Sequence, residues 1–307
     1  MKTALVTGAA GFLGHHVAAH FAREGWNVVA VDHVPPPAER FAPAVVYHQL
    51  RLPNALLGSL IAAEAPSVCI HCAGCASVGL SLESPDVDFH GNTVLTFEVL
   101  EALRRNAPEC RFVLLSSAAV YGNPATLPVS ETHPPAPLSP YGFHKLQCEM
   151  LCAEFARFFG LRTAVARIFS AYGPGLKRQV IWDICQRALK NGALPMHGTG
   201  RESRDFIHAD DIARGLFAIA GTAPATGEIY NLASGREVTI GELAHLLVAE
   251  LKPGLEPQFD GQPTPGDPLN WQADISKIRA LGFTPQIALE DGLREVVRWS
   301  RKELAEA

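Results

Sequence analysis

The sequence predicts an α/β protein: a doubly wound parallel sheet followed by a smaller C-terminal α/β lobe. Three observations carry that expectation. Over the first half of the chain β-rich apolar runs alternate with helix-patterned segments, and a glycine-rich turn joins the first run to the first helix. Beyond Gly160 the pattern loosens into proline- and glycine-punctuated pieces. With 307 residues, 48% of them hydrophobic and 19% charged, the chain is long enough to bury a sizeable core.

The elements follow in order. TALVT (3–7) reads as a strand, 12–24 as a helix, NVVAV (27–31) and VVYHQ (45–49) as strands, and 54–64 as a helix. SVCIH (67–71) is the next strand, 88–105 a longer helix, and RFVLLS (111–116) a further strand. After Gly160, LRTAVARI (161–168) adds one more strand, and the C-terminal part contains the loop GLEPQFDGQPTPGDP (254–268). No repeat or low-complexity tract interrupts this order.

Charge and composition exclude several classes of function. The formal net charge is −5, the isoelectric point is near 6.2, and Lys and Arg form no runs, so there is no footprint for nucleic acid or an anionic membrane. Small-molecule partners are expected. The N-terminal apolar run is too short for a signal peptide, and no apolar stretch approaches about 18 residues. That predicts a cytoplasmic protein. Seven cysteines, an odd number set in apolar segments such as Cys110, Cys148, Cys152 and Cys185, read as buried thiols and not as a disulfide framework.

The first chemical motif is Gly8-Ala9-Ala10-Gly11-Phe12-Leu13-Gly14, between the first strand and the first helix. Glycines there let the backbone approach a pyrophosphate whose charge sits on the helix N-terminus. The next strand leads into Asp32, 18 residues beyond the last glycine, placed to accept the adenosine ribose hydroxyls. Strand, turn, helix and acid together make a Rossmann-type dinucleotide site. Asp32, with no arginine beside it, favours NAD over NADP.

The second motif is Tyr141-Gly142-Phe143-His144-Lys145, on a helix expected to start just after Pro140. A spacing of four puts the phenol and the ammonium on one helical face. A cation there favours phenolate, the form that accepts a proton. Alone the pair would far more often be a half-buried tyrosine beside a solvated lysine; behind a dinucleotide loop it becomes a candidate catalytic pair. A third piece, Ser116-Ser117-Ala118-Ala119-Val120-Tyr121-Gly122, lies at the carboxyl edge of the sheet, where ligands of doubly wound folds bind.

These motifs, followed by RIFSAYGPG, GTGRESRDFIHADDIA and PGDPLNWQADISKIRALGF, resemble the extended short-chain dehydrogenase/reductase family. The likeness is to its NAD-dependent nucleotide-sugar epimerase/dehydratase branch, UDP-glucose 4-epimerase-like, and runs from Thr3 to about Trp299. It implies a Rossmann-type NAD-binding domain over 1–168 with 205–233, and a nucleotide-sugar-binding domain over 169–204 with 234–307. It also implies a homodimer held by a four-helix bundle from the helices containing Val94–Arg104 and Tyr141–Phe159. The family's roles fall on Tyr141 as the base, Lys145 as its partner and the nicotinamide-ribose ligand, and Ser117 as the hydroxyl sharing the sugar oxygen. The cofactor would be held by Gly8, Gly11, Phe12, Leu13, Gly14, Asp32, Cys72, Ala73, Gly74, Tyr141 and Lys145.

The segment CIHCAGC (69–75) places three cysteines and a histidine within seven residues, as a soft-metal site would. Cys69 and Cys72 nevertheless lie on opposite faces of a strand and converge poorly on one ion. By the resemblance, His71-Cys72-Ala73-Gly74 matches an HxAA-like segment beneath the cofactor, so no metal is expected and the cysteines read as small apolar residues; a reactive thiol near the nicotinamide is the alternative.

For the substrate, the resemblance puts Arg204 on the pyrophosphate of a nucleotide-diphosphate sugar, a UDP-sugar favoured; a surface charge or a partner for Asp205 is the plainer reading. Ser77 and Ser81 are candidates to face the sugar or to form a turn, and Lys177, Arg178 and Gln179 to reach a phosphate or base or to lie exposed. Asp210 and Asp211 read as a helix N-terminus. Two positions depart from the family: Thr264 where a second phosphate arginine is common, and Ser170 where many relatives have Asn. Trp271, seven residues after Thr264, falls where a bulky side chain excludes N-acetyl sugars. Ala118 and Ala119 stand where sugar dehydratases carry an acid. The expected activity is therefore UDP-hexose 4-epimerisation through a 4-keto intermediate; a reductase acting on a nucleotide 4-keto-sugar, and a non-catalytic dinucleotide sensor, are the alternatives.

Overall fold

The structure, a computed structural model, describes residues 2–36, 41–190, 193–262 and 268–305. Seven strands build the main sheet: β1 (Thr3–Thr7), β2 (Asn27–Asp32), β3 (Val45–Gln49), β4 (Val68–His71), β5 (Arg111–Ser117), β6 (Arg162–Ile168) and, much later in the chain, β10 (Thr226–Leu232). Their order is β10-β6-β5-β4-β1-β2-β3 and every pairing is parallel. The order reverses beside β1, so the carboxyl ends of β1 and β4 diverge into a crevice.

Alternation along each strand decides which helices cover which face. Ala4, Val6, Val28, Ala30, Val68, Ile70, Val113, Ala164 and Ala166 point to one side, against α1 (Phe12–Arg23) and α8 (Ala209–Thr222). Leu5, Val29, Val31, Cys69, Phe112, Leu114 and Val165 point to the other, against α2 (Leu56–Glu64), α5 (Leu95–Asn106) and α6 (Pro140–Phe159). Between α2 and α5 lie two short helices, α3 (Val78–Glu83) and α4 (Pro85–Phe89). The single helix expected over 88–105 is in fact α4 and α5 joined by a π-turn at His90–Val94, where a Cβ on Gly91 would lie 2.7 Å from the Cys75 sulfur.

The smaller lobe has two small sheets. β7 (Ser170–Tyr172) and β9 (Ser203–His208) are parallel, and β9 pairs antiparallel with β11 (Glu237–Thr239); β8 (Leu194–Met196) pairs with β12 (Pro257–Phe259). Three helices, α7 (Gln179–Lys190), α9 (Ile240–Leu251) and α11 (Leu289–Ala305), bury a third apolar cluster with these strands. A one-turn helix, α10 (Ser276–Arg279), docks against β10. Among the described residues no helix is long and apolar enough to cross a membrane.

Candidate active site

A cleft of about 780 Å³ opens at the carboxyl ends of β1, β4, β5 and β6 and reaches β9 and Trp271. The expected cofactor residues other than Asp32 and Ala73 line it, as do Ser117, Ser77, Ser170, Arg204 and Trp271; the substrate candidates Ser81 and Lys177 do not.

The cofactor side is built by close backbone approach. Gly8 has φ +66°, and a Cβ there would lie 2.6 Å from the Ala73 nitrogen; a Cβ on Gly14 would lie 2.0 Å from the Gly8 carbonyl oxygen. Only glycine fits at either place. Gly11 is the N-cap of α1, with no side-chain cap and no acid in the first turn, which leaves the helix N-terminus to an anion. The Asp32 carboxylate ends β2 and accepts the N–H groups of Ala10 at 3.0 Å and His33 at 2.6 Å. A dinucleotide fits this cradle: pyrophosphate over the glycine loop, ribose toward Asp32.

The candidate reactive residues come from two elements brought together. Ser139 caps α6 by accepting the Gly142 N–H at 3.2 Å, and Pro140 presets its first turn. Tyr141 and Lys145 are then buried one turn apart, 9% and 7% exposed. The Lys145 ammonium donates to the Leu115 carbonyl at 3.1 Å and stands 6.0 Å from the Tyr141 ring centroid. Ser117 closes β5 and turns into a 3₁₀ turn, Ala118–Val120, its hydroxyl accepting the Ala119 N–H at 3.2 Å.

The cysteine-rich segment is a support for this site. Buried His71 bonds Thr7 Oγ1 at 2.7 Å through Nδ1 and Thr96 Oγ1 at 3.4 Å through Nε2, and Thr96 donates on to the Cys148 sulfur. The Ala73 N–H donates to the same Thr7 oxygen at 3.3 Å, fixing the loop that meets Gly8. Burial, then the Lys145 charge, pushes His71 down to about 3, so the ring is neutral at working pH. Burial drives the Cys69 and Cys72 thiols far above their ordinary range, and raises Cys75 as well; thiolate chemistry is disfavoured at all three. Among the described residues no cluster of His, Cys, Asp or Glu could hold a metal ion.

On the substrate side Arg204 donates to the carbonyls of Ser203 at 2.8 Å and Leu269 at 3.2 Å, and lies 5.4 Å over the Trp271 ring. The alternative partner, Asp205, is engaged elsewhere: it accepts from Ser234, Gly235 and Ala273, and burial raises its carboxyl to about 6 against those donors. Trp271 is pinned by its indole N–H on the Gly122 carbonyl at 3.0 Å and packs edge-on to Phe169. Ser77 lines the cleft and caps α3, whereas Ser81 is fully buried, donates to Val78 and lies off the cleft lining. Of the basic turn, Arg178 and Gln179 line the cleft, Arg178 donating to the Ala76 carbonyl at 2.6 Å, while Lys177 pairs with Glu303. Ser170 lines the cleft; Thr264 lies outside the described residues. Asp183, Glu202 and Met196 also line it and carry no sequence signal of their own.

Comparison with known proteins agrees with this geometry. The family model described as "NAD dependent epimerase/dehydratase family" matches residues 4–233. A putative UDP-glucose 4-epimerase of Methanocaldococcus jannaschii is 31% identical, covering 97% of this chain and 98% of its own. The structure of a UDP-glucose 4-epimerase with UDP-glucose from Thermotoga maritima superposes with TM-score 0.91 at 28% identity, over 99% of this chain and 100% of that one. A UDP-glucuronic acid 4-epimerase from Bacillus cereus, in complex with UDP-glucuronic acid and NAD, superposes with TM-score 0.90 at 27% identity over 98% and 100%. The chain belongs to the NAD-dependent epimerase/dehydratase family, within the extended short-chain dehydrogenases/reductases.

Proposed function

We propose that the chain is an NAD-dependent 4-epimerase of UDP-hexoses, acting on UDP-glucose or its uronic acid. The observation that carries this reading is what stands beside the reactive phenol. Tyr141, Lys145 and Ser117 share the cleft with Ala119, while the cleft's described acids, Asp183 and Glu202, belong to the smaller lobe. Elimination of water needs a second acid and base at C5 and C6; inversion at C4 does not.

Bound NAD would supply the hydride acceptor and, later in the cycle, the donor. Tyr141 takes the proton of the sugar 4-hydroxyl, and Ser117 hydrogen-bonds the same oxygen. Lys145, anchored on Leu115, keeps a positive charge facing the ring that must carry a negative one. Arg204, braced on Trp271, holds the pyrophosphate end. The 4-keto sugar then turns in the cleft, and Tyr141 returns its proton as the opposite face is reduced. The test is proton NMR in D2O with UDP-glucose and UDP-glucuronate. The 4-epimer should form with no net cofactor consumption and no deuterium at C5 or C6. A 6-methyl signal would defeat the proposal, as would stoichiometric cofactor oxidation.

We also infer a homodimer through α5 and α6. Phe97, Phe143, Met150 and Phe158 on these helices are 42%, 53%, 64% and 69% exposed, an apolar face that favours a partner. Phe158→Glu should shift the sedimentation coefficient to that of a monomer; a parent that sediments as a monomer would refute the dimer.

A further inference from the structure

A charged pair hidden from solvent lies directly behind the reactive residues. The side chains of Glu149 on α6 and Arg167 on β6 are 4% and 2% exposed. The guanidinium grips the carboxylate at both ends, Nε to Oε1 at 2.9 Å and Nη2 to Oε2 at 2.6 Å. Oε1 also accepts the Ser116 hydroxyl at 2.5 Å, and Ser116 and Arg167 are register partners across β5 and β6. The guanidinium carbon stands 4.5 Å over the Tyr121 ring, whose hydroxyl donates to Asn231 at 2.7 Å. Asn231 donates in turn to the carbonyls of Val129 and Asp274, three residues beyond Trp271.

Stability is a poor account of this pair, because apolar residues of like volume often replace a buried ion pair without loss. What they do not replace is direction: the planar fork fixes distance and angle together. Direction matters at this place. Glu149 follows Lys145 by one helical turn and Tyr141 by two, on the same face, and Ser116 adjoins Ser117. Lys145 on the Leu115 carbonyl and Glu149 on the Ser116 hydroxyl therefore tie α6 to β5 at successive turns.

We infer that the Glu149–Arg167 pair, tied to Ser116, is a positioning device that sets the register of α6 on β5 and so places Tyr141 and Lys145 against Ser117. The kinetic arm of its test rests on the epimerase reading; the structural arm does not. Glu149→Leu combined with Arg167→Met removes both charges at similar volume. The double variant should fold, retain NAD and melt within a few degrees of the parent, with KM within about threefold and kcat lower by about 10- to 100-fold. Parental kcat, or a loss confined to KM or melting temperature, would overturn the inference. If the double variant does not fold, Ser116→Ala cuts the tie without burying an unpaired charge; kcat should fall at least about fivefold at constant KM, and an unchanged kcat overturns it. A parent that epimerises neither sugar defeats the function alone, and a crystal structure of the NAD-bound double variant then decides. Lys145 Nζ displaced from the Leu115 carbonyl by about 1 Å or more upholds the positioning role, and unchanged geometry removes it.

Discussion

A methyl group on Gly142 would lie 2.8 Å from the carbonyl oxygen of Ala119 and 2.9 Å from the Pro137 side chain. Helix α6 thus meets the turn after Ser117 at a glycine inside its own Tyr-x-x-x-Lys motif, with no room for a side chain between them. Gly142→Ala should push the two apart, lowering kcat by about 10- to 100-fold while NAD remains bound. Steady-state kinetics with cofactor content checks it; a parental kcat would mean that the helix yields harmlessly.

Tyr141→Phe leaves the ring packed and removes the proposed proton acceptor. Turnover should fall at least about 100-fold with NAD still bound. Activity within a few-fold of the parent would take Tyr141 out of the chemistry.

Asp32 offers its carboxylate where two ribose hydroxyls would lie, and NADP has only one of them free. Asp32→Ala should therefore weaken NAD far more than NADP in a calorimetric titration. Equal losses would undo the cofactor preference.

Trp271 is a rigid wall, pinned by Gly122, Phe169 and Arg204. The parent should prefer UDP-glucose to UDP-N-acetylglucosamine by at least about tenfold in kcat/KM, and Trp271→Cys should narrow that ratio. Equal values in the parent would show that the indole does not meet the sugar's C2 substituent.

His71 makes stability depend on pH. Its folded value, about 3, lies below the ordinary 6.5, so the unfolded chain binds the proton more readily. The stabilisation is complete above about pH 6.5 and is lost as pH falls from there toward 3, about 2 kcal/mol of it by pH 5. Urea unfolding at pH 7 and pH 5 should show that loss in the parent and a smaller one in His71→Asn. Identical losses would mean that His71 is not the group titrating.

Some of this was legible along the chain. The alternation of strands and helices, the glycine loop, Asp32 and the Tyr141–Lys145 spacing are local patterns, and local backbone geometry is enough to place them on one sheet edge or one helical face. Tertiary packing decided the rest. Whether Ser81 or Ser77 faces the cleft turns on one short helix, and the identical residue type at both gives no signal. The π-turn after Phe89 is invisible to a 3.6-residue periodicity, and it lies where Gly91 backs onto the Cys75 side chain with no room for a Cβ. The ion pair of Glu149 and Arg167 joins residues 18 apart in sequence that read singly as an ordinary helix acid and strand base. Only the stacking of α6 on β5 and β6 removes both from water and turns them toward each other. Sequence alone determined which chemical groups the protein carries on each element. The distances between elements, on which proton transfer depends, were decided by packing, because side chains far apart in the chain meet only when the faces that bury them close together.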